Sequence, residues 1–192
     1  SARQKKQEGN YWDTFVEFNF DLDKRNQKFK PTDGYRSFYS FDLPLISENN
    51  TLTNTISHRY YSQYFDNNVF SLSMLLKTTN SITGDDVKLS ERLNVPSNRL
   101  RGFESGKVGP KDGNDFIGGN YVYALNATTS MPQLFQNLQN LDLSLFFDAA
   151  NVWGVDYDSA LSDSSKIRSS VGIAIDLFTP VGPMSFSLAE TI

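Results

Sequence analysis

Alternation with a period of two residues recurs so often in this chain that few folds remain open to it. From Phe15 to Asp23 the residues read FVEFNFDLD, with Val16, Phe18, Phe20 and Leu22 on one side and Glu17, Asn19, Asp21 and Asp23 on the other. Successive side chains of an extended strand point to opposite faces, whereas a helix would scatter these residues around its axis. A second run, YRSFYSFDL, sets Tyr35, Tyr39, Phe41 and Leu43 against Arg36, Ser40 and Asp42, and Pro44 is expected to end it. A weaker run covers Leu52 to Tyr61. A fourth opposes Phe70, Leu72, Met74 and Leu76 to Ser71, Ser73 and Lys77.

The rhythm resumes at NYVYALNAT (120–128), where Tyr121, Tyr123 and Leu125 share a side. In LDLSLFFDA (141–149), Leu141, Leu143, Leu145 and Phe147 oppose Asp142, Ser144, Phe146 and Asp148. RSSVGIAIDL (168–177) and MSFSLA (184–189) follow, the first placing Val171, Ile173, Ile175 and Leu177 opposite Ser170, Gly172, Ala174 and Asp176. The tally is about eight strands of about nine or ten residues, and no segment reads as a helix. TPVGP (179–183) is a tight turn, whereas Asn151–Ile167 and Thr79–Phe116 are long and polar. An antiparallel meander is therefore predicted, with short turns at one end and long loops at the other, as in a membrane barrel.

A soluble β-sandwich also alternates. Three features favour a barrel wall. The hydrophilic positions are serine, asparagine, aspartate and glycine, which suit a water-filled interior. Aromatic residues gather at strand ends (Tyr11, Trp12, Tyr35, Tyr60, Tyr61, Tyr64, Trp153 and Tyr157), as in interfacial girdles. The strands also have the length that a tilted crossing of the hydrocarbon requires. Hydropathy cannot settle the matter, because alternating strands score low on it. Eight strands could close alone as a small barrel; the chain starts and stops close to strands, so a piece of a larger barrel is at least equally expected, able to self-associate through exposed strand edges.

Composition removes other classes. A net charge of -4 with scattered lysines and arginines offers no basic stripe, so no nucleic-acid partner is expected. Cysteine is absent and His58 is the sole histidine, which leaves no material for thiolate or histidine metal sites or for a serine–histidine triad. No catalytic residue, metal or cofactor is expected. His58 is expected to be a wettable strand side chain. GFESGK (102–107) has the wrong glycine spacing for a phosphate loop, and Val108 stands where a hydroxyl is needed. Asp85 with Asp86, and Asp21 with Asp23, are explained by solvation of a loop and of a lumen. The sequons at Asn49 and Asn126 carry meaning only in a eukaryotic secretory pathway.

The stretch RLRGFESGKVGP (99–110) is the exception to the rhythm, since it concentrates arginine, glycine and an aromatic within the longest loop. RLRGF followed by Gly109 and Pro110 resembles the loop signature of the BamA family of outer-membrane assembly factors. GGNYVYALNATTSMP, FFDAANVWG and RSSVGIAIDLFTPVGPMSFSLAE resemble further segments of that family in the same order, as does YWDTFVEFNFDLDKRNQKFKPTDGYR near the start. Leu100, Ala150 and Thr179 depart from the usual valine, glycine and serine. The resemblance implies an all-β fold in which residues 1–192 form a partial transmembrane β-barrel domain. That domain would be an antiparallel meander from the C-terminal half of a roughly sixteen-stranded outer-membrane barrel.

It further implies an outer-membrane location in a Gram-negative-type bacterium and a non-enzymatic role in folding and inserting β-barrel proteins. The partners would be outer-membrane lipid, nascent outer-membrane proteins and accessory assembly lipoproteins. A protein-translocating or solute channel, such as a two-partner secretion pore, is the alternative.

In that family the arginine loop, here about residues 79–116, folds back into the barrel. An arginine buried there needs a carboxylate. Arg101 is expected to meet Asp148, with Asp176 as second candidate. Gly102 is expected to permit the sharp backbone path of the tip, and Phe103 to pack on the inner wall against Phe146.

Overall fold

The computed structural model describes residues 12–47, 50–65, 68–131, 141–161 and 166–192. Tyr11 and the Asn49 sequon lie outside the described residues. Four strands come first: β1 (Asp13–Asp23), β2 (Gly34–Ser47), β3 (Thr51–Phe65) and β4 (Asn68–Ser81). A short ribbon, β5 (Lys111–Asp112) and β6 (Asp115–Phe116), lies within the connection that follows. Then come β7 (Tyr121–Ser130), β8 (Leu141–Trp153), β9 (Arg168–Thr179) and β10 (Gly182–Thr191). The main sheet is an antiparallel meander in the order β1-β2-β3-β4-β7-β8-β9-β10, and it does not close on itself.

The predicted runs fall within these strands apart from Asn120, which precedes β7, with four differences. β2 continues past Pro44 to Ser47. Its pairing with β3 stops at Asp42, and Pro44 lies opposite Phe15 at a bulge in the β1 ladder, where a missing N–H costs little. Several strands are longer than expected, β3 reaching 15 residues. The alternation of short and long connections is incomplete. Connections 82–120 and 154–167 share one end of the sheet with the short 48–50, and the opposite end carries 24–33 and 131–140 beside the two-residue connections 66–67 and 180–181.

The fourth difference concerns the faces. Phe18, Phe20, Ile56, Leu72, Phe147, Ile173 and Phe186 point out from the convex side and remain exposed. Rings stack along that side, Phe18 on Phe41 at 4.9 Å, while Trp153, Tyr121 and Tyr123 cluster at the long-loop end. Tyr61, expected in a girdle, has the opposite parity and is buried on the concave face beside Arg59. His58, expected to be a wettable strand side chain, lies on β3 and points outward, sharing a 2.8 Å hydrogen bond with Ser37 beside the Tyr35 ring. The run in β3 is weak because Asn54, His58 and Ser62 share the outward parity with Ile56 and Tyr60.

The concave face is also not uniformly hydrophilic. Leu75, Val122, Ala124, Ala150 and Val152 point inward and form the core with Val95, Leu100 and Val108 from the 82–120 connection. The apolar patch of the wall is matched to the loop that covers it, and Leu100 is 2% exposed within it. The outward side shows the reverse dependence on lipid. Replacing Phe18 by arginine is expected to cost about 2–4 kcal/mol near mid-bilayer, and the same change at Glu17 far less. Urea unfolding of the two variants in lipid vesicles measures the difference, and equal losses would refute a lipid-facing convex surface.

Candidate functional site

The concave face carries a row of directly opposed residues that crosses the sheet. Asp23 faces Arg36, Arg36 faces Arg59, Arg59 faces Ser73, Ser73 faces Asn126, Asn126 faces Asp148, and Asp148 faces Ser170. Alternation supplies the inward direction of each side chain, and register supplies the neighbours. The tip of the long loop settles on this row. A single 3₁₀ turn at Ser97–Arg99 brings Arg99 over β4 and β7, Arg101 over β8, and Gly102 against β10.

Arg101 donates from Nε and Nη2 to the two carboxylate oxygens of Asp148, each at 2.7 Å, and its backbone N–H adds a bond of 3.1 Å. Asn126 Nδ2 completes the set at 2.8 Å. Asp148 is 0% exposed, so four donors replace all of its water. The guanidinium lies over the Phe146 ring, 3.4 Å from the centroid, in cation–π contact. Phe146 can lie flat because Gly172 stands opposite it on β9. A Cβ there would come within 2.6 Å of the ring and 2.0 Å of the Leu188 carbonyl oxygen.

Gly102 has φ +86, a region that side-chain-bearing residues rarely adopt, and a Cβ there would meet the Ala189 Cβ at 2.9 Å. Phe103 packs against the Leu75–Val152 cluster, and the face of Phe146 is taken by Arg101. The expected Phe103–Phe146 pairing is thus replaced by an arginine platform. Asp176 lines the same chamber as Arg101 but receives the Ser185 hydroxyl, so among the described residues Arg101 has a single carboxylate partner.

A second anchor holds the neck of the loop. Leu93 and Gly119 exchange backbone hydrogen bonds of 2.8 and 2.9 Å. Arg92, with its side chain 1% exposed, pairs with Asp156 of the 154–167 connection and donates to the Val87 carbonyl at 3.3 Å. Burial pushes the Asp156 carboxyl up. The Val87 N–H, the Arg92 charge and the Asn120 amide outweigh that and hold it below the ordinary carboxylate range. Sequence reasoning did not find Arg92, Asp156, Arg99 or Arg59. An arginine in a polar loop carries no local signal of its partner, although Asn120 stands within a recognised segment.

With this geometry in hand, comparison with known proteins gives a consistent answer. Residues 1–192 match the Omp85 superfamily domain. The outer membrane protein assembly factor BamA of Neisseria meningitidis serogroup B is 31% identical over 117 residues, 47% of this chain and 15% of that protein. The crystal structure of BamA from Haemophilus ducreyi lacking POTRA domains 1-3 matches with a TM-score of 0.84 at 27% identity, over 93% of this chain and 38% of that one. The chain therefore spans well under half the length of either relative.

Proposed function

The chain belongs to the Omp85 superfamily, and on that premise we propose that it forms part of the outer-membrane barrel of a BamA-type factor, which folds and inserts other β-barrel proteins without enzymatic chemistry. The observation that carries this reading is the long loop tied inside the wall by Arg101 and Asp148. A wall that must stay intact while another part of the barrel opens gains a brace.

Loop and wall are joined at three levels: the neck at Arg92–Asp156, the apolar cluster, and the tip at Arg101–Asp148. Each ties β4, β7, β8 or the connection after β8 to the same loop, so this side of the barrel resists bending as a unit. Arg101, Gly102 and Phe103 are the loop motif in this reading, and Asp148 and Phe146 its wall partners. Lipid covers the convex face. Nascent outer-membrane proteins are the clients, and assembly lipoproteins the accessory partners.

The test uses the full-length protein that carries this domain, reconstituted in lipid vesicles. A urea-unfolded outer-membrane protein added from outside is expected to fold faster than into protein-free vesicles. Ion conductance gained without faster folding would overturn the proposal in favour of a channel.

A further inference from the structure

We propose that Arg59 and Arg99 form a lumenal receptor for a carboxylate carried on an extended peptide segment. Four guanidinium groups, those of Arg25, Arg36, Arg59 and Arg99, lie toward the β1–β4 side of the concave face. Two carboxylates serve them: Asp23 pairs with Arg25 at 2.7 Å, and Asp21 with Arg36 at 2.6 Å. Arg59 and Arg99 form no ion pair among the described residues.

Their placement makes this costly. Arg59 stands directly opposite Arg36 in the β2–β3 ladder, and like charges so placed repel. The hydrogen bonds of Arg59 are long, 3.4 Å to Ser73 Oγ and 3.5 Å to the Tyr61 hydroxyl. Arg99 donates to the same Ser73 hydroxyl and to Asn126 Oδ1 at 3.1 Å. Two cations thus converge on one serine oxygen. Burial first, then the Arg59 charge, depress the Arg99 guanidinium against the pull of Asp148. An anion between the two would relieve both.

Both arginines open onto a chamber of about 530 Å³ that Ser71, Ser73, Asn126 and Thr128 also line; Arg101 and Asp176, each already paired, line it as well. Guanidinium forks with adjacent hydroxyls suit a planar oxyanion. The chamber is in the size range of molecular ligand pockets and has room for an anion attached to a chain, which the phosphate arm of the test below separates from a lone ion. A glutamate, an aspartate or a C-terminal carboxylate on an extended strand has that chemistry. The inference stands apart from the assembly reading, because its test measures reactivity in the lumen and no folding of clients.

The chain has no cysteine, so Ser71→Cys introduces one thiol into this chamber. In the full-length protein, with any cysteine elsewhere replaced by serine, its modification rate is measured with a sulfonate-bearing and a trimethylammonium-bearing thiosulfonate. The sulfonate reagent is expected to react about tenfold faster, as electrostatic focusing in a charged cleft allows. R59Q with R99Q should abolish the preference, and R59K with R99K should retain it. A hexapeptide of alternating serine and glutamate should slow the reaction, the glutamine version should not, and neither should inorganic phosphate at equal concentration.

No preference in the unsubstituted lumen would overturn the proposal, and is the result if a carboxylate from elsewhere in the same protein already sits on the pair. Protection by phosphate equal to that by the glutamate peptide would overturn it as well.

Discussion

Arg101→Glu is expected to destabilise the barrel wall by about 3–5 kcal/mol, the range for breaking a buried ion pair from one side. The reason lies with Asp148. Its carboxylate is fully buried, and three of its four donors come from Arg101. A glutamate at 101 removes two of them, leaves Asn126 as the sole side-chain donor, and sets a second negative charge beside the first. The tip should leave the wall and expose Phe146. Arg101→Lys should fall between, since an ammonium keeps the charge but cannot span both oxygens. The midpoint of heat-induced unfolding of the full-length protein in detergent reports the loss. Accelerated proteolysis between Arg99 and Lys107 reports the release of the tip. An Arg101→Glu protein that melts with the wild type would remove the brace from the mechanism.

The second large effect concerns the seat beneath that arginine. Gly172→Val should cost about 1–3 kcal/mol by overpacking, because the added atoms meet the Leu188 carbonyl and the Phe146 ring. The carbonyl belongs to the β9–β10 ladder and has little room to move, so that clash persists, whereas the ring can lift and carry Arg101 with it. The consequence is a specific non-additivity. With Phe146→Ala as background, the valine should be better tolerated, and the double variant should be more stable than the sum of the single losses by at least about 0.5 kcal/mol. Chemical denaturation of the four proteins in one detergent completes the cycle. Strict additivity would mean that glycine 172, Phe146 and Arg101 do not form one stack.

The contacts of the Arg101 site differ in how far the sequence shows them. Asp148 was reachable from the sequence, because its parity in LDLSLFFDA places it on the wettable side and the loop resemblance supplies an arginine in need of a partner. Asp176 has the same parity, yet the hydroxyl of Ser185 occupies it. Phe146 was visible as an inward aromatic, but its partner was not, since a ring accepts a phenylalanine or a guanidinium equally well. Tyr61 went to the wrong face because β3 mixes polar and aromatic residues at both parities, so no pattern marks its outer side. Pro44 misled because a proline at a bulge does not stop a strand.

Taken alone, the order of residues determined that this chain forms a long antiparallel meander with one oily and one wettable side, since side-chain direction along a strand is local and needs no partner. It also marked residues 99–110 as the segment that breaks the pattern. Which residues oppose one another was decided only by the tertiary structure. Register and loop docking bring together groups as distant as Arg101 and Asp148, 47 positions apart, and place Arg59 between a like charge and a serine. Those neighbours follow from bulges, turn geometry and the fit of an apolar loop to an apolar patch, none of which has a period that a sequence can display.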